Sequence, residues 1–214
     1  MASLVRRLRN HCESKETFEK YLTNTIFREI ANTAEAEKNK RAGKNKHIQV
    51  KRGKTEIGDW YFSSNNIVKN IIIPYGITKI GTNAFANCEN LHNVVLPNTV
   101  IDFDTAVFSD CHKLKTLRFP CGITQISLAM FYACLELDDI VIHNNITNIN
   151  MWAFACCYNL KSIVIPNSVV HIEGSAFENC KNLKSVTIPK MFNNKETLEK
   201  IFNYCFSNVN FTFV

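Results

Sequence analysis

Apolar residues along most of this chain recur at an interval too long for one helix face or one strand. Phe85, Phe108, Phe131, Phe154 and Phe177 stand 23 residues apart, as do Leu91, Leu114, Leu137, Leu160 and Leu183. Cys88, Cys111, Cys134, Cys157 and Cys180 keep the same step, and so do Pro74, Pro97, Pro120, Pro166 and Pro189, with His143 in the remaining place. A period of this length with several apolar columns in register predicts a solenoid of stacked repeats. The pattern extends back through Ile57, Gly58, Phe62, Val68, Ile71 and Ile73, and then to Ile48 and Val50, although Lys51 stands where proline is expected. Beyond Cys180 the step becomes 25, giving Phe202 and Cys205, with Phe211 and Phe213 following. Seven units therefore begin at His47, Asn70, Asn93, Thr116, Asp139, Ser162 and Ser185, and a strand at 210–214 closes the series.

Within a unit the apolar spacing predicts the local elements. In the run from Leu160 to Pro166, Ile163 and Ile165 alternate with Ser162 and Val164, the period-2 signature of a strand with one buried face. Pro166 has no N–H for a ladder and ends that strand in a turn. Val169 and Ile172 mark a second short extended piece. Ala176, Phe177, Cys180 and Leu183 follow at i, i+1, i+4 and i+7, which predicts one or two tight helical turns with one face inward. One unit alone cannot bury so many apolar groups, whereas stacked units turn them into continuous ladders.

These residues resemble the BspA-like, or treponemal-type, leucine-rich repeat. The pattern L-x-x-I-x-I-P-x-x-[IV]-x-x-I-x-x-x-A-F-x-x-C-x-x-L runs most fully from Leu160 to Leu183, with an earlier copy from Val68 to Leu91 that opens on valine. The resemblance covers about residues 47–214. It implies an α/β solenoid, a right-handed leucine-rich repeat horseshoe with a parallel sheet on its concave face. It also implies a non-enzymatic scaffold that binds a macromolecular partner, as surface proteins of this family do. Two features depart from that family: the chain shows no secretion signal, and it carries a basic amino-terminal extension.

That extension, residues 1–46, reads as helix. Ser14 suits an N-cap, and Glu16 and Glu19 suit the positive end of a helix dipole. Phe18, Tyr21, Leu22, Ile26, Phe27, Ile30, Ala31 and Ala34 then form a single apolar stripe on an amphipathic helix of about five or six turns, with Gly43 a suitable stop. The principal reading is a cap over the open end of the first repeat. The alternatives are a docking or oligomerisation helix, which Leu4, Val5 and Leu8 among Arg6, Arg7 and Arg9 support, and a membrane-surface helix.

Charge divides the chain in the same place. Residues 1–55 carry a net charge of +8 and residues 56–214 a net charge of −2, within a total of +6 over 214 residues. Lys38, Lys40, Arg41, Lys44, Lys46, Lys51, Arg52 and Lys54 form a basic patch with Gly43 and Gly53 inside it. The principal reading of such a run is a solvated linker; the alternative is a patch for nucleic acid or a nucleoprotein. No apolar run approaches the roughly 18 residues of a membrane span. With no h-region behind the amino-terminal arginines, the expected location is cytoplasmic or intracellular, with a surface or virion adhesin as the alternative.

Candidate chemistry is sparse. Nine cysteines are an odd number, and six fall on the repeat, where a buried thiol acts as a small hydrophobe and fills space as Ala or Val would. Off the ladder are Cys12, Cys121 and Cys156, of which Cys121, beside Gly122 in a turn, is the exposed thiol expected within the repeats. There is no C-x-x-C pair, no histidine at the repeat interval, no phosphate-binding glycine loop and no H-E-x-x-H helix. The reading is therefore no enzyme, no metal and no cofactor. Function falls to the outward positions of the predicted strands. One column reads Asn70, Asn93, Thr116, Asp139, Ser162 and Ser185, and the other reads Gln49, Ile72, Val95, Arg118, Val141, Val164 and Thr187. The second is a β-branched stripe that strand propensity alone would produce, and that a protein-binding surface would also display. Ile72, Val95, Arg118, Asp139, Val141 and Val164 are the expected partner contacts, with Arg118 as the orienting charge.

Overall fold

The computed structural model describes residues 54–214. Each coil of the chain contributes one three- or four-residue strand and one two-residue strand. The longer strands are β2 (Asn70–Ile72), β4 (Asn93–Val95), β6 (Thr116–Arg118), β8 (Asp139–Val141), β10 (Ser162–Val164), β12 (Ser185–Ile188) and β13 (Asn210–Phe213). The shorter are β1 (Glu56–Ile57), β3 (Lys79–Ile80), β5 (Asp102–Phe103), β7 (Gln125–Ile126), β9 (Asn148–Ile149) and β11 (His171–Ile172). All pairings between them are parallel, each strand meeting its equivalent in the next coil. The long strands form the sheets β2-β4-β6-β8 and β10-β12-β13, and the short strands form β1-β3-β5 and β7-β9-β11. The register is the repeat itself, Ile71 against Val94 and Ile163 against Val186, both 23 residues apart. The amino-terminal helix, residues 1–46, and the first half of the unit that begins at His47 lie outside the described residues.

The core is a set of ladders. Phe62, Phe85, Phe108, Phe131, Phe154, Phe177 and Phe202 stack ring on ring, with centroids 5.1–5.8 Å apart and planes within 14° of parallel. Six of the seven are fully buried, and Phe62 at the first described coil is half-buried. Leucine, isoleucine and cysteine columns run beside them, all at or near zero exposure. At a break in the short-strand ladder, between β5 and β7, the buried Ser127 hydroxyl donates to the Phe103 carbonyl. Other coils make that link with a backbone N–H, as Asp104 does to Ile80 and Asn150 to Ile126.

The segment expected to be helical is built differently. From Gly81 to Leu91 the chain makes a series of β-turns, closed by bonds such as Ala84 N–H to Gly81 and Cys88 N–H to Phe85. Two residues per coil take left-handed φ: Trp60 and Ser64, Asn83 and Asn87, Ala106 and Asp110, Ala129 and Ala133, Trp152 and Cys156, Ser175 and Asn179, all between 52° and 60°. L-residues rarely adopt that region. What holds them there is a further ladder: the N–H groups of Asn83, Phe85 and Asn87 donate to Thr105, Val107 and Ser109 of the next coil at 2.8–3.0 Å. A helix would spend those donors inside its own coil, whereas the observed turns aim every second one at the neighbour.

The 25-residue step also has a local cause. The last coil accommodates α1 (Lys195–Ile201), whose N-cap Asn194 side chain accepts from Thr197 N–H, and whose Leu198 and Ile201 are buried. It returns the chain to β13, where Phe211 meets Phe202 edge-on at 5.1 Å.

Candidate functional site

The alternation of the long strands sets their outward face. In each of β2, β4, β6, β8 and β10 the middle residue is buried and the flanking two are half-buried or exposed. All six expected contact residues therefore lie on one face. Ile72, Val95, Arg118, Asp139 and Val141 share the four-stranded sheet, and Val164 lies in the adjacent three-stranded one. Their exposure is graded: Ile72 and Val95 are half-buried, while Val141 and Val164 keep 38% and 51% of their surface in solvent. Arg118 pairs with Val141 and Asp139 with Thr116, so the two charges sit diagonally on neighbouring strands. Thr187 and Thr212 continue the β-branched column beyond Val164 in register. The column beside it is small and polar, and Asn93 Nδ2 donates to Asn70 Oδ1 at 2.7 Å within it.

A third column was not singled out from the sequence. The residue before each long strand is tied by its backbone to its equivalent in the next coil: His92 N–H to Lys69 O, Asp138 N–H to Lys115 O, and Lys184 N–H to Lys161 O, at 2.7–3.1 Å. The row reads Lys69, His92, Lys115, Asp138, Lys161, Lys184, so four of six rungs are lysine. Beside it opens a shallow depression of about 330 Å³ lined by Lys115, Glu136, Asp138, Tyr158, Asn159 and Asn182. Lys115 pairs with Glu136 at 3.7 Å, and the Lys181 ammonium lies 4.6 Å from the Tyr158 ring centroid. The signal for this row was present in the sequence as lysines 46 residues apart, at 69, 115 and 161.

Of the basic patch, Lys38, Lys40, Arg41, Lys44, Lys46, Lys51 and Arg52 lie outside the described residues. Lys54 is exposed, its ammonium 5.3 Å from the Tyr61 ring centroid.

The ladder cysteines do more than fill space. Each thiol donates to a phenylalanine carbonyl in the preceding coil: Cys88 to Phe62, Cys111 to Phe85, Cys134 to Phe108, Cys157 to Phe131, Cys180 to Phe154 and Cys205 to Phe177, at 3.1–3.3 Å. Neither Ala nor Val could make that bond. Burial pushes the Cys88 and Cys205 thiols up to about 11. Burial also raises Cys111, Cys134, Cys157 and Cys180 far above the ordinary thiol range. These groups stay protonated at neutral pH, so they serve as structural donors and not as nucleophiles. Cys121 and Cys156 are the half-buried thiols among the described residues.

His143 occupies the missing proline position. Its Nε2 meets the Pro120 carbonyl at 3.1 Å and its Nδ1 lies 3.2 Å from Asn145 N–H, which fixes a neutral ring protonated on Nε2. Burial lowers its pKa below 6.5, opposed by the bond to Pro120 and reinforced by Arg118. Among the described residues no cluster of His, Cys, Asp and Glu is placed to hold a metal ion. No described helix is long and apolar enough to cross a membrane.

The chain matches the family model described as BspA type leucine rich repeat region, in six copies over residues 36–161 and 147–214. No curated protein matches it. Among solved structures it is similar to the T. pallidum leucine rich repeat protein TpLRR, at 23% identity and a TM-score of 0.60, over 75% of this chain and 78% of that one. It is also similar to a leucine-rich repeat protein from Bacteroides ovatus, at 25% identity and a TM-score of 0.61, over 77% of this chain and 48% of that one.

Proposed function

We infer that this chain, which belongs to the BspA-type leucine rich repeat family, is a non-enzymatic protein-interaction scaffold whose partner is held on the exposed face of its long-strand sheets. A stack of parallel strands is a rigid support, and side chains that repeat at one position per coil make an extended surface of uniform chemistry. The observation that carries the reading is the in-register column Ile72, Val95, Arg118, Val141, Val164. It leaves Val141 and Val164 substantially in solvent on strands whose ladder bonds already fix their geometry. Contiguous exposed aliphatic groups beside polar ones are the composition of a protein-binding patch. Ile72, Val95, Val141 and Val164 would supply the apolar contact, with Arg118 and Asp139 setting orientation.

The test is partner capture from native extract by the full chain and by a Val141→Asp/Val164→Asp variant, with captured proteins identified by mass spectrometry. Both valines are exposed, so the variant keeps its far-UV spectrum and its unfolding midpoint within about 0.5 kcal/mol. The captured partner is lost from the variant. A partner retained at full yield would place the binding surface elsewhere.

A further inference from the structure

The lysine row at the strand entries and the aliphatic column flank the small polar column on either side. Successive coils are about 4.8 Å apart, and the two outer columns lie about 10 Å from each other across the strand direction. That width is the diameter of one polypeptide element. Across the seven long strands the surface runs about 29 Å, the length of a helix of about 19 residues. The rows differ in what they demand. Val141 and Val164 gain by contact with apolar groups, while Lys115, Lys161 and Lys184 attract anions and keep their own stems over the surface. We propose that the long-strand face takes an acidic amphipathic polypeptide segment laid along the stack, its carboxylates toward the lysine row and its apolar side chains toward the aliphatic column. This rests on the scaffold reading above and names the chemistry of its partner.

Two observations favour a polypeptide over a nucleic acid. Asp138 and Asp139 interrupt the basic character at the central coils, where a continuous phosphate backbone would be repelled. The three columns also contain no Phe, Tyr or Trp on which bases could stack. The exposed Trp60, Trp152 and Tyr132 stand on the turn side of the coil. The same acidic break gives the surface a register, with lysines on both sides of a central pair of carboxylates. The partner's acidic residues accordingly fall toward its two ends, with a neutral or basic residue between them.

The proposal is tested by fluorescence anisotropy on the full chain with four labelled probes. Three are synthetic amphipathic peptides of equal length: one of Leu and Glu, one with Lys in place of Glu, and one with Ser in place of Leu. The fourth is an oligothymidylate. The Leu/Glu peptide binds best, each other probe at least about tenfold more weakly. Its affinity falls about tenfold or more in a Lys115→Glu/Lys161→Glu/Lys184→Glu variant and declines with added salt. The corresponding triple Lys→Arg variant keeps it. Equal binding of the Lys peptide, preference for the oligonucleotide, full affinity in the Lys→Glu variant, or no binding of any probe each overturn the proposal. Failure of the underlying scaffold reading looks different. If the native partner is lost on Val141→Asp/Val164→Asp but kept on the Lys→Glu reversal, the face binds and only the acidic occupant is wrong.

Discussion

Truncating one ring in the middle of the phenylalanine ladder should cost far more than truncating the first described ring, and should split the molecule's unfolding. Phe131 is fully buried. It stacks on Phe108 at 5.8 Å and on Phe154 at 5.4 Å, and meets Phe119 edge-on at 5.8 Å. Phe131→Ala removes a buried ring that the neighbouring coils cannot close over, a loss of about 3–5 kcal/mol in general for such sites. The stacked contacts on both sides go with it. Phe62, half-buried with one stacked partner at 5.2 Å, should cost about 1–2 kcal/mol, because less area and fewer rings are involved. With an m-value of about 2 kcal/mol/M in urea, the central variant's midpoint falls by about 2 M. In a stacked array each coil is stabilised by its neighbours, so a weakened middle interface uncouples the two halves. Trp60 and Trp152 lie on opposite sides of Phe131 along the chain. Urea titrations of Phe131→Ala in Trp60→Phe and Trp152→Phe backgrounds should therefore give non-coincident fluorescence transitions, whereas the parent gives one. Coincident transitions, or a cost for Phe131→Ala no larger than for Phe62→Ala, would refute the ladder as the coupling element.

Gly81→Ala should destabilise by about 2 kcal/mol, because a Cβ there would meet the backbone of Asp59 at 2.8 Å and of Gly58 at 2.9 Å. Gly58→Ala opens onto free space and should be within about 0.5 kcal/mol of neutral; thermal melts of the pair decide it. His143, whose folded pKa is lowered from 6.5, is protonated more readily in the unfolded chain. Its contribution is thus present above 6.5 and lost as pH falls through the folded value. The unfolding midpoint of the parent should drop between about pH 7 and pH 5 relative to His143→Pro, which restores the residue of the other coils; parallel pH slopes would contradict this. Cys134→Val fills the space but removes the donor to Phe108, and should cost about 1 kcal/mol, with Cys134→Ala about 2. A neutral Val variant would return the thiol to a space-filling role. In native protein a thiol reagent should modify Cys121 and Cys156 before any of the six ladder cysteines.

The coiled architecture was readable because a strict 23-residue period leaves little freedom. Stacking identical units puts Phe85 over Phe108 and Cys88 over Cys111 whatever the local conformation. The long strands were readable for the same reason, since Ile163 and Ile165 alternate with polar or exposed neighbours, and the outward columns followed from that alternation. The spacing of Ala176, Phe177, Cys180 and Leu183, by contrast, fits a helical turn as well as a chain of β-turns. The thiols read as small hydrophobes because an acceptor 26 residues away is invisible in a local pattern. The lysine row was overlooked because it precedes the strands and is broken by His92 and Asp138.

What the sequence determined by itself is which residues are equivalent and which of them must be buried, because hydrophobic burial depends on side-chain identity and period alone. What the tertiary structure decided is where the backbone donors go. Asn83, Phe85 and Asn87 could have bonded within their own coil. The presence of Thr105, Val107 and Ser109 one coil away turns those N–H groups outward and holds left-handed residues that no local preference would select. The exposure of Val141 and Val164 and the row of Lys115, Lys161 and Lys184 beside them arise in the same way, since residues far apart in the chain become one surface only when the coils are in contact.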